Sequence, residues 1–195
     1  MAVVRIGRPP RRHAVVWTDE LPPSGSLPAG RIDQRREFEG AGPAPLHDVA
    51  AVEFCMPTGP IIPYAMLGGR FRRHNAETLI VEIPEFSAAN PIQHQRSVTG
   101  SADATLAGGS AEYIPAILKA IERIDRSCRP RGTLTLAAMA HDAFGSSDFS
   151  FNVATQLLMS VLQSGCTVEN GARVLDECVE RARVHGAGRP SDDRS

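Results

Sequence analysis

Ile114-Pro115-Ala116-Ile117-Leu118-Lys119-Ala120-Ile121-Glu122-Arg123-Ile124 is the stretch whose reading decides the fold class. Ile114, Ile117, Leu118, Ile121 and Ile124 recur at helical spacing, while Lys119, Glu122 and Arg123 fall on the other side. Proline suits the first turn, because the N–H it lacks would have found no partner there. The spacing therefore predicts an amphipathic helix that stops before Pro130. Working outward, Thr133–Met139 reads as a strand with Leu134 and Leu136 on one face. Upstream, Thr78-Leu79-Ile80-Val81-Glu82-Ile83 reads as a strand with Leu79, Val81 and Ile83 buried, ended by Pro84. Gly69–Arg73 reads as another strand, joined to it by the short turn His74–Glu77.

Beyond Met139, Asp142–Gly145 is a loop, and Ser146 or Ser147 is a good N-cap with Asp148 in the first turn. Phe151, Ala154, Leu158, Val161 and Leu162 then form the stripe of a second helix, which Gly165 ends. A third helix is predicted from about Val168 to Val184, with Ala172, Leu175, Cys178, Val179 and Ala182 as its inner face. Ser97–Ala107 is polar and has room for one more strand, through Val98 and Ala102–Thr105. Strands and helices thus follow one another in a single α+β domain over 49–185, and the polar tail 186–195 is expected to be disordered. Residues 1–48 form a loop-rich extension, dense in Pro, Gly and Arg. Val3–Ile6 and Ala14–Trp17 are short strand candidates there, and since proline breaks ladders the region is expected to be loop-rich or attached at a sheet edge.

Particular residues in this βαβα unit are familiar. Ala111-Glu112-Tyr113-Ile114-Pro115-Ala116-Ile117-Leu118-Lys119-Ala120-Ile121 and Gly145-Ser146-Ser147-Asp148-Phe149-Ser150-Phe151-Asn152-Val153-Ala154 resemble two helix-start segments in domain IV of elongation factor G-type translation factors. His141-Asp142 matches a His-Asp in that domain's strand and loop, and Arg70–Phe86 is similar to its early strands. The resemblance covers about 68–164. It implies a split βαβ sheet with a left-handed crossover and two to three helices packed on one face. It also implies a ribosome-facing tip near His141 and Asp142. The chain departs from that pattern in three ways. The His74–Glu77 turn holds no glycine where the family has a glycine-rich loop, a helix follows where the family has a sandwich domain, and there is no G-x-x-x-x-G-K-[ST]. GTP-driven translocation is excluded for this chain alone.

A net charge of −1 gives no global field that would advertise RNA or a membrane. Of 21 basic side chains, however, only that of Lys119 is a lysine. A GC-rich genome explains such a bias, and so does selection of planar forks for phosphate. Two clusters matter for the second explanation: Arg70, Arg72, Arg73 and His74, and then Arg126, Arg129 and Arg131. With His141 and Asp142 these are the candidate RNA contacts, weighed against a plain solvated face. His141-Asp142 followed by Ser146-Ser147 has the residue types of a hydrolase but lacks a nucleophile elbow, so no catalytic residue is assigned. The six histidines are scattered and no C-x-x-C occurs, so neither a metal nor a cofactor is expected. The first ten residues carry no sustained apolar run, and the expectation is a cytoplasmic protein without membrane contact.

Two functions follow as expectations. One is a non-enzymatic, translation-factor-like module that binds the ribosome or structured RNA. The other is a small-molecule enzyme, or an accessory or partner subunit, that reuses the same scaffold. A homodimer is compatible with either.

Overall fold

The computed structural model describes residues 2–8, 12–23, 27, 31–57, 59–85, 92–93, 105–165 and 167–186. Among these residues nine strands appear in chain order: β1 (Ala2–Arg8), β2 (Arg12–Thr18), β3 (Ile32–Glu39), β4 (Val49–Cys55), β5 (Tyr64–Arg73), β6 (Thr78–Pro84), β7 (Ile92–Gln93), β8 (Thr105–Ala107) and β9 (Gly132–Asp142). Three helices join them: α1 (Ile114–Glu122), α2 (Asp148–Ser164) and α3 (Val168–Gly186). All the described strands belong to one sheet, whose main path runs β1-β2-β4-β5-β9-β6-β3, with β8 pairing β9 and β7 pairing β8. The mixed α+β class read from the sequence is the class observed.

Pairing is antiparallel except between β6 and β9, which are parallel, with Leu79 opposite Gly132 and Glu82 opposite Thr135. These two strands and α1 make a βαβ unit whose strands are direct neighbours. A split unit, as expected from the sequence, would put a third strand between them, and none stands there. The interposed strand is β9 itself, which separates β5 from β6 although only the His74–Glu77 turn joins those two in the chain. The reason lies in the composition of β9. Leu134, Leu136 and Met139 pack on one side and Ala138 and Ala140 on the other, so both faces must be covered and the strand must be central.

The three helices cover one face. Ala50, Val52, Phe54, Ala65, Leu67, Val81, Leu134 and Leu136 point to them and share a core with Ile117, Ile121, Phe151, Leu158 and Val179. In α1, Ile114, Ile117 and Ile121 of the expected stripe are buried, Leu118 is partly buried like Ile124 beyond the helix, and Ala116 and Ala120 are buried beside them. The central helix α2 packs against both α1 and α3 as well as β4 and β5, so it is buried nearly all round. Its buried polar groups are satisfied within the helix: Gln156 donates to Asn152 Oδ1 at 2.6 Å and the Thr155 hydroxyl to the Phe151 carbonyl at 2.7 Å. Ser147 starts α2 in a reciprocal capping box with Ser150. The other sheet face carries a smaller apolar cluster of Val15, Trp17, Ala51, Cys55, Tyr64, Met66, Ala138 and Ala140.

The first 48 residues contribute more than an extension. β1 and β2 continue the sheet past β4, and β3 closes its other edge against β6. The two strand candidates, Val3–Ile6 and Ala14–Trp17, fall within β1 and β2. β3 was not foreseen, because Ile32-Asp33-Gln34-Arg35-Arg36-Glu37-Phe38-Glu39 is charged and mostly exposed, as suits an edge. After it, Gly42 lies against the chain before β9. Its N–H donates to the Arg129 carbonyl at 2.8 Å, and a Cβ there would meet that same oxygen at 2.8 Å. The strand expected within Ser97–Ala107 appears as Thr105–Ala107, and the remainder of that stretch lies outside the described residues, as does the tail from 187 to 195.

Candidate nucleic-acid interface

Register brings the two arginine clusters together. Arg72 pairs with Thr133 and Arg73 with Gly132, so Arg131 emerges beside the end of β5. Arg70 lies opposite Thr135 and Arg72 opposite Thr133, on the face turned away from the helices, since Phe71 and Leu134 between them face the core. Both side chains are exposed. Arg70, Arg72 and Arg131 have no hydrogen bond or ion pair among the described residues.

Arg73, on the helix side, is anchored at one nitrogen. Its Nη2 donates to the Pro45 carbonyl at 2.9 Å and lies 3.4 Å from Asp48 Oδ1. Beyond it, Ala44, Arg73, His74, Asn75 and Arg131 line a cleft of about 450 Å³. Both ring nitrogens of His74 are buried there without a hydrogen-bond partner. Sequence reading found the basic residues of this cleft and missed Ala44 and Asn75. Ala44 lies far from the others in sequence, and Asn75 follows His74 directly without a charge to mark it.

The rest of the second cluster serves the fold. Arg129 donates from Nε to the Ile124 carbonyl at 2.7 Å, from Nη1 to the Glu39 carbonyl at 3.0 Å and from Nη2 to the Glu122 carbonyl at 3.0 Å. Its guanidinium also lies 5.9 Å from the centre of the Phe38 ring. It thereby satisfies carbonyls left open at the C-terminal end of α1 and ties them to β3. Arg126 lies 3.3 Å from Glu39 and 3.8 Å from Glu77, in exposed pairs that neutralise it. Asp125 accepts from the Ser127 N–H and hydroxyl, and these bonds hold its carboxyl below the ordinary range.

His141 and Asp142 sit at the opposite end of β9 from Arg131, so the nine candidates do not form one surface. Oδ1 of Asp142 accepts from the N–H of Phe144 at 2.8 Å and of Gly145 at 2.6 Å. Ser146 accepts from the Asp142 N–H and donates to the Tyr64 carbonyl, each at 2.8 Å. With Ser147 capping α2, the polar groups of 142–147 shape this turn. His141 is half-buried, with its ring centroid 6.0 Å from that of Tyr113, which in turn stacks on Phe151 at 4.4 Å. Burial lowers the His141 pKa below the ordinary imidazole value, opposed by a backbone contact with Gly108 and by Glu112. Burial also raises the Tyr113 hydroxyl, reinforced by Glu112. The serine hydroxyls are committed elsewhere, so His141 has no nucleophile of this turn to activate.

Among the described residues, no group of His, Cys, Asp and Glu side chains is arranged to hold a metal. No described helix is long and apolar enough to cross a membrane. Cys55 and Cys178 are buried and Cys128 is exposed, with burial pushing the Cys178 thiol up to about 11. No family model, curated protein or solved structure matches the chain.

Proposed function

We propose that this chain is a non-enzymatic module that binds the ribosome or structured RNA through the end of the sheet where Arg70, Arg72, Arg73, His74 and Arg131 gather. The observation that carries the reading is the β5–β9 register, which places Arg131 beside Arg73 although the two clusters lie far apart in sequence. Three of these guanidinium groups lack carboxylate partners among the described residues, and such unpaired cations bind phosphates by releasing counterions. The likeness of Ala111–Ile121 and Gly145–Ala154 to domain IV of elongation factor G belongs to this proposal, with the left-handed crossover it implies. Those segments begin α1 and α2, so they speak for the scaffold. The contact surface itself rests on the arginines. His141 and Asp142 are not part of it.

The test is co-sedimentation of the purified chain with ribosomes at low and moderate salt. The Arg70→Ala/Arg72→Ala/Arg131→Ala variant is expected to lose most of the bound fraction, and its absence at low salt for the unaltered chain would end the reading. A second reading, as a partner subunit, draws on β1. Among the described residues that strand pairs with β2 alone, and Val3 on it is 50% exposed. Light scattering on the eluting protein separates a dimer from a monomer.

A further inference from the structure

We propose that the cleft between the β5–β6 turn and the chain entering β9 is a binding site for a terminal phosphomonoester. The inference rests on the RNA reading in that it names the feature of the RNA which is held, but the cleft would hold a small phosphorylated molecule equally well.

Among the described residues its lining carries donors and no carboxylate: Arg73, Arg131, His74 and Asn75, with Ala44 beside them. About 450 Å³ lies within the roughly 300–1,000 Å³ of small-ligand sites, and so accommodates a phosphate with part of the group that carries it. Arg73 is already oriented. Both of its recorded contacts, to Pro45 and Asp48, use Nη2, which leaves the N–H groups of Nη1 and Nε as separate donors. Arg131 has no competing partner among the described residues. His74 is the most telling residue. In either neutral tautomer one ring nitrogen carries a proton, and both nitrogens are buried without a partner. A buried donor without an acceptor is a standing penalty that a phosphate oxygen removes. The charge of Arg131, with the part of the Arg73 charge that Asp48 leaves uncompensated, suits the near-dianion of a monoester better than the single charge of an internal diester. The turn is also held in place, since β5 and β6 are both pinned to β9.

The monoester has two possible sources: the 5′ end of an RNA and a free nucleoside monophosphate. The experiment uses the full chain and ten-nucleotide RNAs of one sequence, with a 5′ phosphate or a 5′ hydroxyl, read by fluorescence anisotropy. In parallel, the His74 ring signals are followed by NMR on adding inorganic phosphate or adenosine monophosphate. The phosphorylated RNA is expected to bind about tenfold tighter. His74→Ala should bring that ratio to within about twofold while its thermal unfolding stays unchanged. If His74→Ala does not fold, Arg131→Gln carries the same comparison. RNA that fails to bind while adenosine monophosphate moves the His74 signals upholds the cleft and overturns the ribosome reading. RNA bound without 5′ preference, together with His74 signals unmoved by millimolar phosphate, overturns the cleft and leaves the ribosome reading standing. Unmoved signals with no RNA binding overturn both.

Discussion

Replacing Arg129 with methionine keeps most of the aliphatic stem and removes the fork that joins α1 to β3. Three charge-assisted hydrogen bonds to backbone carbonyls disappear, at 2.7, 3.0 and 3.0 Å. A hydrogen bond to a charged group nets about 1.5–3 kcal/mol when sheltered. The bonds to Glu39 and Glu122 are exposed, so water replaces much of what they give, and about 0.5 kcal/mol each is a fair value. The part-buried bond to Ile124 contributes about 1.5 kcal/mol. Loss of the contact with Phe38 adds about 0.5 kcal/mol. The expected destabilisation is about 3 kcal/mol, or a fall in Tm of roughly 6–12 °C for a chain of this size. Urea unfolding followed by circular dichroism measures it, with Arg129→Lys recovering less than half, since an ammonium cannot reach three divergent carbonyls. A loss below about 0.5 kcal/mol would refute the assignment of Arg129 to the scaffold. Arg131→Met, by contrast, should leave unfolding unchanged.

Ser147→Ala removes one arm of the capping box at α2 and should cost about 1 kcal/mol in the same unfolding assay. The His141 pKa is lowered by burial, so the folded chain binds fewer protons at that ring than the unfolded chain does. Stability from the neutral ring is whole above about pH 6.5 and is lost as the pH falls below that towards the lowered value. Tm measured from pH 7.5 to 5.5 should therefore drop more steeply for the unaltered chain than for His141→Gln, and identical slopes would contradict the burial argument.

The helices were legible because their signal is local. Ile114–Ile124 repeats at helical spacing, Pro115 and Ser147 mark starts, and Gly165 marks an end. Strand order was not legible in the same way. Gly69–Arg73 and Thr78–Ile83 look like neighbours in the chain, yet β9 lies between them, since a strand that must be covered on both faces takes the central place. β3 escaped notice because an edge strand can carry Arg35, Arg36 and Glu37 in water and contribute little more than Phe38 to the core. The candidate site divides on the same ground. Clusters of arginine are visible as letters, but whether a guanidinium is spent depends on which carbonyls the fold brings to it. Arg129 and Arg131 are two positions apart; one holds three carbonyls, and the other has no partner among the described residues.

The central claim is that the arginines gathered by the β5–β9 register bind phosphate. The most direct test is the salt dependence of affinity for a single-stranded RNA, from 25 to 200 mM salt, for the unaltered chain and for Arg70→Ala/Arg72→Ala/Arg131→Ala. Each phosphate contact adds about 0.7 to the slope of log affinity against log salt for single strands. The account predicts a slope shallower by about 2 in the triple variant, with unchanged thermal unfolding. An equal slope in both proteins, or no binding of either at 25 mM salt, would contradict it.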